Sequence, residues 1–185
     1  MHLKSQVNPH FFFNTLNNLY GLVEQDTEKA QQLILKLSDM MRYSIYEGQN
    51  EWVTLEDEIT YLENYMDLHR MRYHKTIDIR FDVDAEDRSI KVMPLLFIIM
   101  VENAFKHGVE KLRSGAFVHI VLKATTKIIE FDIENNFDIE EPCSSKGIGL
   151  NNLKQRLELV YHNRHELEIT NKPDEIYTIR LSISL

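Results

Sequence analysis

A histidine that follows a proline sits in an unusual run of amides and aromatics, Gln6-Val7-Asn8-Pro9-His10-Phe11-Phe12-Phe13-Asn14-Thr15-Leu16-Asn17. A neutral imidazole is a nucleophile, and an unperturbed one titrates at about 6.5, so it is mostly neutral at pH 7. Such a group needs orientation and an electrophile more than activation. Two further patches have the chemistry to hold one. In Glu102-Asn103-Ala104-Phe105-Lys106-His107-Gly108, Glu102 and Lys106 stand four residues apart on one helical face. An amide beside a carboxylate suits Mg²⁺, which prefers oxygen ligands, while lysine and histidine suit phosphates. In Gly147-Ile148-Gly149-Leu150-Asn151-Asn152 a Gly-x-Gly precedes a helix, where free backbone amides form an anion site. Each patch also has a plain structural reading: core aromatics, helix-end caps and a loop-to-helix turn. This glycine pair lacks the third glycine of a dinucleotide fingerprint, since Asn152 takes that place.

The elements that must carry these residues fall into two parts. The first 75 residues read as helices. Thr54-Leu55-Glu56-Asp57 has a capping-box pattern, and Leu55, Ile59, Leu62 and Met66 follow at helical spacing. Ala30, Leu33, Ile34 and Leu37 make a second stripe, entered at Asp26-Thr27 and left near Gly48. The His10 segment is a third helix, with Pro9 in its first turn or at a kink. From Thr76 the period becomes two: Ile77-Ile79-Phe81-Val83, Val118-Ile120-Leu122, Ile129-Phe131-Ile133 and Tyr177-Ile179-Leu181-Ile183-Leu185. Helices interrupt these strands after Pro94 to about Lys111 and at Leu150-Leu153-Leu157-Tyr161. The pattern predicts an α+β chain, with a helical region over 1–75 and a two-layer α/β sandwich over 76–185. The stretch 137–146 reads as a mobile loop.

Composition narrows the function. A net charge of −8 argues against nucleic acid as a partner. The single cysteine, Cys143, excludes an internal disulfide and fits a reducing compartment. The longest apolar run, 92–101, is too short to span a membrane and contains Pro94. Met1-His2-Leu3-Lys4 runs straight into the histidine motif, as expected of an excised piece whose upstream segment carries any membrane anchor or sensor.

Together the three patches, in this order, with Met41-Arg42-Tyr43-Ser44 and Arg70-Met71-Arg72-Tyr73 between them, closely resemble the LytS-like family of sensor histidine kinases. The first patch resembles its His box, the second its N box and the third its G box, over essentially the whole chain. The resemblance implies a helical dimerisation and phosphoacceptor region followed by a Bergerat-type (GHKL) ATP-binding domain. It implies autophosphorylation of His10 from ATP with Mg²⁺, then transfer to an aspartate on a response-regulator receiver domain. It also implies a homodimer through the N-terminal helices, and a cytoplasmic piece of a protein anchored in the membrane elsewhere. By position, His10 matches the phosphoacceptor, and Asn103 the Mg²⁺-binding amide. Lys106 and His107 face the phosphates, and Gly147, Gly149 and Leu150 form the hinge over the triphosphate. Asn152 falls in the helix start that follows.

Two positions depart from the wider histidine-kinase pattern. An Asp-x-Gly usually follows the central strand, its aspartate accepting from the adenine amino group; here Asn135 and Phe137 stand in those places. The loss of charge costs roughly 1 kcal/mol, about five- to tenfold in affinity. Phe11 stands where many kinases place an acidic base beside the histidine, which leaves Glu102 as the candidate base. Asn14, one turn beyond His10, is expected to orient that imidazole or a water attacking a phosphorylated partner. The competing expectation is a non-catalytic relay module with a degraded nucleotide site. An ATP-hydrolysing clamp is disfavoured, because Ile99 occupies the position of its water-activating glutamate.

Overall fold

The computed structural model describes residues 9–72, 76–138, 148–172 and 175–185. The chain divides into two compact units, Met1–His74 with Val92–Leu95, and Lys75–Lys91 with Leu96–Leu185.

The first unit is helical: α1 (Pro9–Val23), α2 (Thr27–Ile45), a 3-10 turn (Glu47–Gln49) and α3 (Leu55–Arg72). Pro9 is the first helical residue of α1, where its missing N–H and fixed φ cost nothing. Asp26 caps α2 by accepting from the Lys29 amide at 3.0 Å. The capping box that opens α3 is reciprocal: Asp57 N–H reaches Thr54 Oγ1 at 3.2 Å, and Thr54 N–H reaches Asp57 Oδ2 at 2.9 Å. Two residues of strand β1 (Val53–Thr54) precede α3.

Each helix commits one face to the unit's core. Phe11, Phe12, Thr15 and Leu19 of α1 are buried with Leu33, Leu37 and Met40 of α2 and Ile59, Leu62, Tyr65 and Met66 of α3. The aromatic triplet is therefore split, since Phe13 is 67% exposed. Phe11 stacks on Tyr65 at 4.8 Å and on His69 at 5.1 Å between ring centroids. His69 is 1% exposed, its ring taken into the aromatic stack. A deeper polar cluster lies among α2, α3 and the segment Val92–Leu95. Tyr43 donates to Glu58 Oε1 at 2.5 Å, and the Leu95 amide donates to the same oxygen at 2.7 Å. Leu95 sits at φ +53, a left-handed conformation that costs a branched residue about 1 kcal/mol or more. The adjacent Ser44 donates to the Met40 carbonyl and lies 3.0 Å from the Tyr61 hydroxyl.

The second unit is a five-stranded sheet with two helices. Its strands are β2 (Ile77–Ala85), β4 (Ala116–Ala124), β5 (Ile128–Asn136), β6 (His165–Lys172) and β7 (Ile176–Ser184), in the order β2-β4-β5-β7-β6. The two-residue β3 (Lys91–Val92) lies outside this sheet. β2 and β4 are parallel, with Ile79 opposite Val118, and the other pairs are antiparallel. A parallel pair needs a crossover, and the intervening chain supplies α4 (Ile98–Ala104). α5 (Ile148–Val160) lies between β5 and β6 in the chain. Val118, Ile120, Leu122, Phe131, Ile133, Ile179 and Leu181 bury one sheet face, with Phe97, Met100, Leu153 and Leu157 in the same core. Phe97 and Phe131 stack at 4.8 Å. The opposite face carries charge, including an Arg180–Asp132 pair at 3.2 Å.

Two details depart from the sequence expectation. β6 was not foreseen, and the helix expected to run to about Lys111 changes character at Phe105. There it becomes a π-turn, Phe105–Val109, with the Glu110 amide bonded to the Phe105 carbonyl at 2.9 Å. The expected loop 137–146 lies largely outside the described residues.

Candidate functional site

His10 is exposed on the first turn of α1, and Phe11 and Phe12 beside it anchor that turn in the core. Asn14 lies one turn on, where an i,i+4 pair must meet. Its Nδ2 is 3.1 Å from His10 Nδ1 and 3.2 Å from Nε2. The pair fixes where the ring stands, with the donor and acceptor roles set by the imidazole tautomer. Thr15 fixes the same turn through its hydroxyl, which donates to the Phe11 carbonyl at 2.8 Å.

In the α/β unit, the other candidate residues gather at the end of α4 and the start of α5. Glu102 and Asn103 are half-buried in the last turn of α4; Lys106 is exposed and His107 half-buried in the π-turn. Burial pushes the His107 imidazole below its ordinary value, and the charges of Lys106 and Lys111 push it the same way against Glu110. It is thus neutral at pH 7 and able to donate from one nitrogen and accept at the other. π-turns mark places where a helix is held open by tertiary contact. Here Gly108 makes that contact: a Cβ at this position would lie 2.6 Å from both Asn135 Nδ2 and the Asn136 carbonyl oxygen.

Asn135 and Asn136 end β5 with separate duties. Asn136 is structural: its Oδ1 accepts from the Phe117 amide at 2.9 Å and its Nδ2 donates to the Gly115 carbonyl at 2.8 Å, tying β5 to the start of β4. Asn135 is 2% exposed, and its Nδ2 donates to the Asn136 carbonyl at 3.0 Å. Gly149 of α5 faces Ile99 of α4, where a Cβ would make an ordinary contact with Ile99 Cγ2 at 3.6 Å. Leu150 is buried and Asn152 half-buried in the same first turns of α5. Gly147 lies outside the described residues. Sequence reasoning passed over Gly108 as a positioning residue, although a glycine following a charged helix end was the available signal.

The donor set fits a magnesium–nucleotide complex. Asn103 and Glu102 offer oxygen ligands, Lys106 and His107 offer phosphate donors, and Asn135 offers a buried acceptor for a base. A helix bearing an exposed histidine, joined in one chain to a mixed sheet backed by such a helix end, is the arrangement that the resemblance to histidine kinases implies.

The comparisons with known proteins agree. The histidine kinase family model matches residues 1–77. The LytS sensor protein of Staphylococcus saprophyticus is 31% identical over 180 residues, covering 90% of this chain and 30% of the relative. The BtsS sensor histidine kinase of Escherichia coli K12 is 29% identical over 182 residues, covering 98% of this chain and 32% of the relative. A protein named sensor histidine kinase/phosphatase LytS, from Staphylococcus aureus, is 33% identical over 135 residues, 72% of this chain and 23% of the relative. The chain therefore spans about a third of the length of the curated relatives it matches. Among solved structures, the kinase domain of the blue-light activated histidine kinase of Erythrobacter litoralis shares the fold, with a TM-score of 0.54 at 10% identity over 96% of this chain and 93% of that one. The chain belongs to the LytS-like family of sensor histidine kinases. Among its described residues no helix is long and apolar enough to cross a membrane.

Proposed function

We propose that the chain is the kinase core of a two-component sensor, transferring the γ-phosphoryl group of Mg-ATP to His10 and from there to an aspartate of a response-regulator receiver domain. The carrying observation is the His10–Asn14 pair: an exposed imidazole with a side-chain amide one turn on, within hydrogen-bond reach of its ring nitrogens. A ring-nitrogen lone pair of His10 forms the P–N bond as the bond from the γ-phosphorus to the β,γ-bridging oxygen breaks. ADP leaves with that electron pair, and the proton on the other ring nitrogen is released, with Glu102 as the proposed acceptor. Such transfers depend on positioning and charge neutralisation more than covalent help, which suits Asn103 on the metal and Lys106 and His107 on the phosphates. Gly147, Gly149, Leu150 and Asn152 supply the closing turn, and Asn135 receives the base.

A second copy of the chain is part of this reading. Phe13, Leu16, Tyr20 and Val23 form one stripe on α1, 44–84% exposed, and Ile34, Met41 and Ile45 form another on α2. Apolar stripes at helical spacing on two neighbouring helices suit a homodimeric bundle. One relative is named a kinase/phosphatase. We extend that second activity to this chain with Asn14 orienting the attacking water.

Incubation with γ-labelled ATP and Mg²⁺ tests the proposal. Acid-labile, alkali-stable label that disappears in His10→Ala supports it, and binding of Mg-ATP without label in the dimeric chain overturns the kinase reading. No binding at millimolar ATP favours a non-catalytic relay module.

A further inference from the structure

Of the three acids in the first turn of α3, Glu56 and Asp57 are exposed and Glu58 is buried. Packing alone would be served there by an apolar side chain, because taking a charge out of water is costly unless strong donors replace it. Two donors converge on one oxygen of Glu58, the Tyr43 hydroxyl at 2.5 Å and the Leu95 N–H at 2.7 Å. The Leu95 end is the unusual one. Leu95 follows Pro94 in a turn and stands at φ +53, a place where glycine or asparagine is ordinarily found. Its side chain is buried, so the strained residue is clamped at both its amide and its isobutyl group. The preceding β3 is paired with β1, which ties Leu95 to the helical unit from the other side. At Leu96 the chain passes into the α/β unit, and α4 starts at Ile98 with Glu102 and Asn103 in its last turn.

We infer that Glu58 is a positioning residue for the nucleotide site, holding Leu95 in its left-handed conformation and so setting the entry of the helix that carries Glu102 and Asn103. The inference rests on the nucleotide reading above and adds to it the group that fixes where α4 begins. A hydrogen bond to a charged acceptor and the cost of a left-handed leucine are similar in size and opposite in sign. Without the bond, Leu95 gains by relaxing to negative φ, and the chain then enters α4 along a different line. Because Tyr43 shares the same oxygen, the packing of α2 on α3 bears on that bond.

Titration calorimetry of the 185-residue chain with Mg-ATP, run beside thermal unfolding, separates positioning from mere stability. Glu58→Gln keeps the shape and exchanges a charged acceptor for a neutral one, so it is expected to weaken binding about fivefold. Adding Leu95→Gly removes the strain, since glycine takes positive φ freely, and is expected to restore affinity while the melting temperature falls further for the lost side chain. Adding Leu95→Ala instead leaves a similar cavity but keeps the strain, and affinity stays low. Unchanged affinity in Glu58→Gln, or restoration by both second substitutions or by neither, overturns the inference and leaves the nucleotide reading standing. Should Glu58→Gln fail to fold, amide hydrogen exchange in the unaltered chain decides. Coupling between two sites is reciprocal, so bound Mg-ATP must slow exchange at Leu95 beyond any slowing at the core residue Leu62. Equal slowing at both overturns the inference. No binding of Mg-ATP to the unaltered chain at millimolar concentration overturns both readings.

Discussion

The Tyr43 hydroxyl and the Glu58 carboxylate, fifteen residues apart, meet at 2.5 Å inside the helical unit, where Glu58 is 1% exposed. Oε1 of that carboxylate also holds the Leu95 amide. Burial, then the Glu58 charge, pushes the Tyr43 hydroxyl far above the ordinary tyrosine range. Tyr43→Phe removes one donor from a buried charge and is expected to cost about 1–3 kcal/mol in urea unfolding followed by circular dichroism. The pH dependence has a definite sign. Tyr43 stays protonated in the folded chain, while in the unfolded chain it ionises at about 10. Its contribution is intact below that pH and declines above it, so Tyr43→Phe should show a shallower alkaline loss of stability.

Nucleotide binding should draw a proton onto His107. Burial and two neighbouring lysines hold its pKa below the ordinary value. Phosphates placed beside it favour the charged form, so its pKa rises on binding. Near pH 6 the complex takes up a fraction of a proton and at pH 8 none. Calorimetry in buffers of different ionisation enthalpy measures this, and His107→Gln should abolish it. An uptake unchanged in that variant would place His107 away from the phosphates.

How much of this was readable beforehand depended on how local the cause was. The His10–Asn14 contact and the Thr54–Asp57 box follow from helix geometry alone, so spacing revealed them. Strands β2, β4, β5 and β7 announced themselves by alternation. β6 did not, because its alternation rests on Leu167 and Ile169 among charges, and both remain only half-buried. The π-turn was hidden because its cause is the approach of Gly108 to residues 27 and 28 positions later. Glu58 looked like one more acid in the first turn of a capped helix. Its burial depends on Tyr43 and Leu95, which lie 15 and 37 residues away.

Asn14→Ala should slow both label gain on His10 and dephosphorylation of the partner by about tenfold, the value of one neutral hydrogen bond. The helix should stay folded, since alanine is the best helix former. Rates equal to those of the unaltered chain in both assays would remove Asn14 from the chemistry.

Phe13→Glu combined with Tyr20→Glu should convert a dimer to a monomer in sedimentation equilibrium, with helix content unchanged. Both positions are exposed, at 67% and 84%, so the charges cost the folded monomer little. A chain that sediments as a monomer before the substitutions would refute the dimeric bundle.

The sheet of the α/β unit has β2 and β6 as its two edge strands. Such rims invite stacking of one molecule on another. Both are guarded. Asp78, Arg80, Asp82 and Asp84 alternate along β2, and Glu166 and Glu168 along β6. Charge at these borders discourages fibrous growth, in keeping with the proposal that two copies meet through the apolar helical stripes. If output depends on the proposed pairing, such guarded rims keep that choice unambiguous.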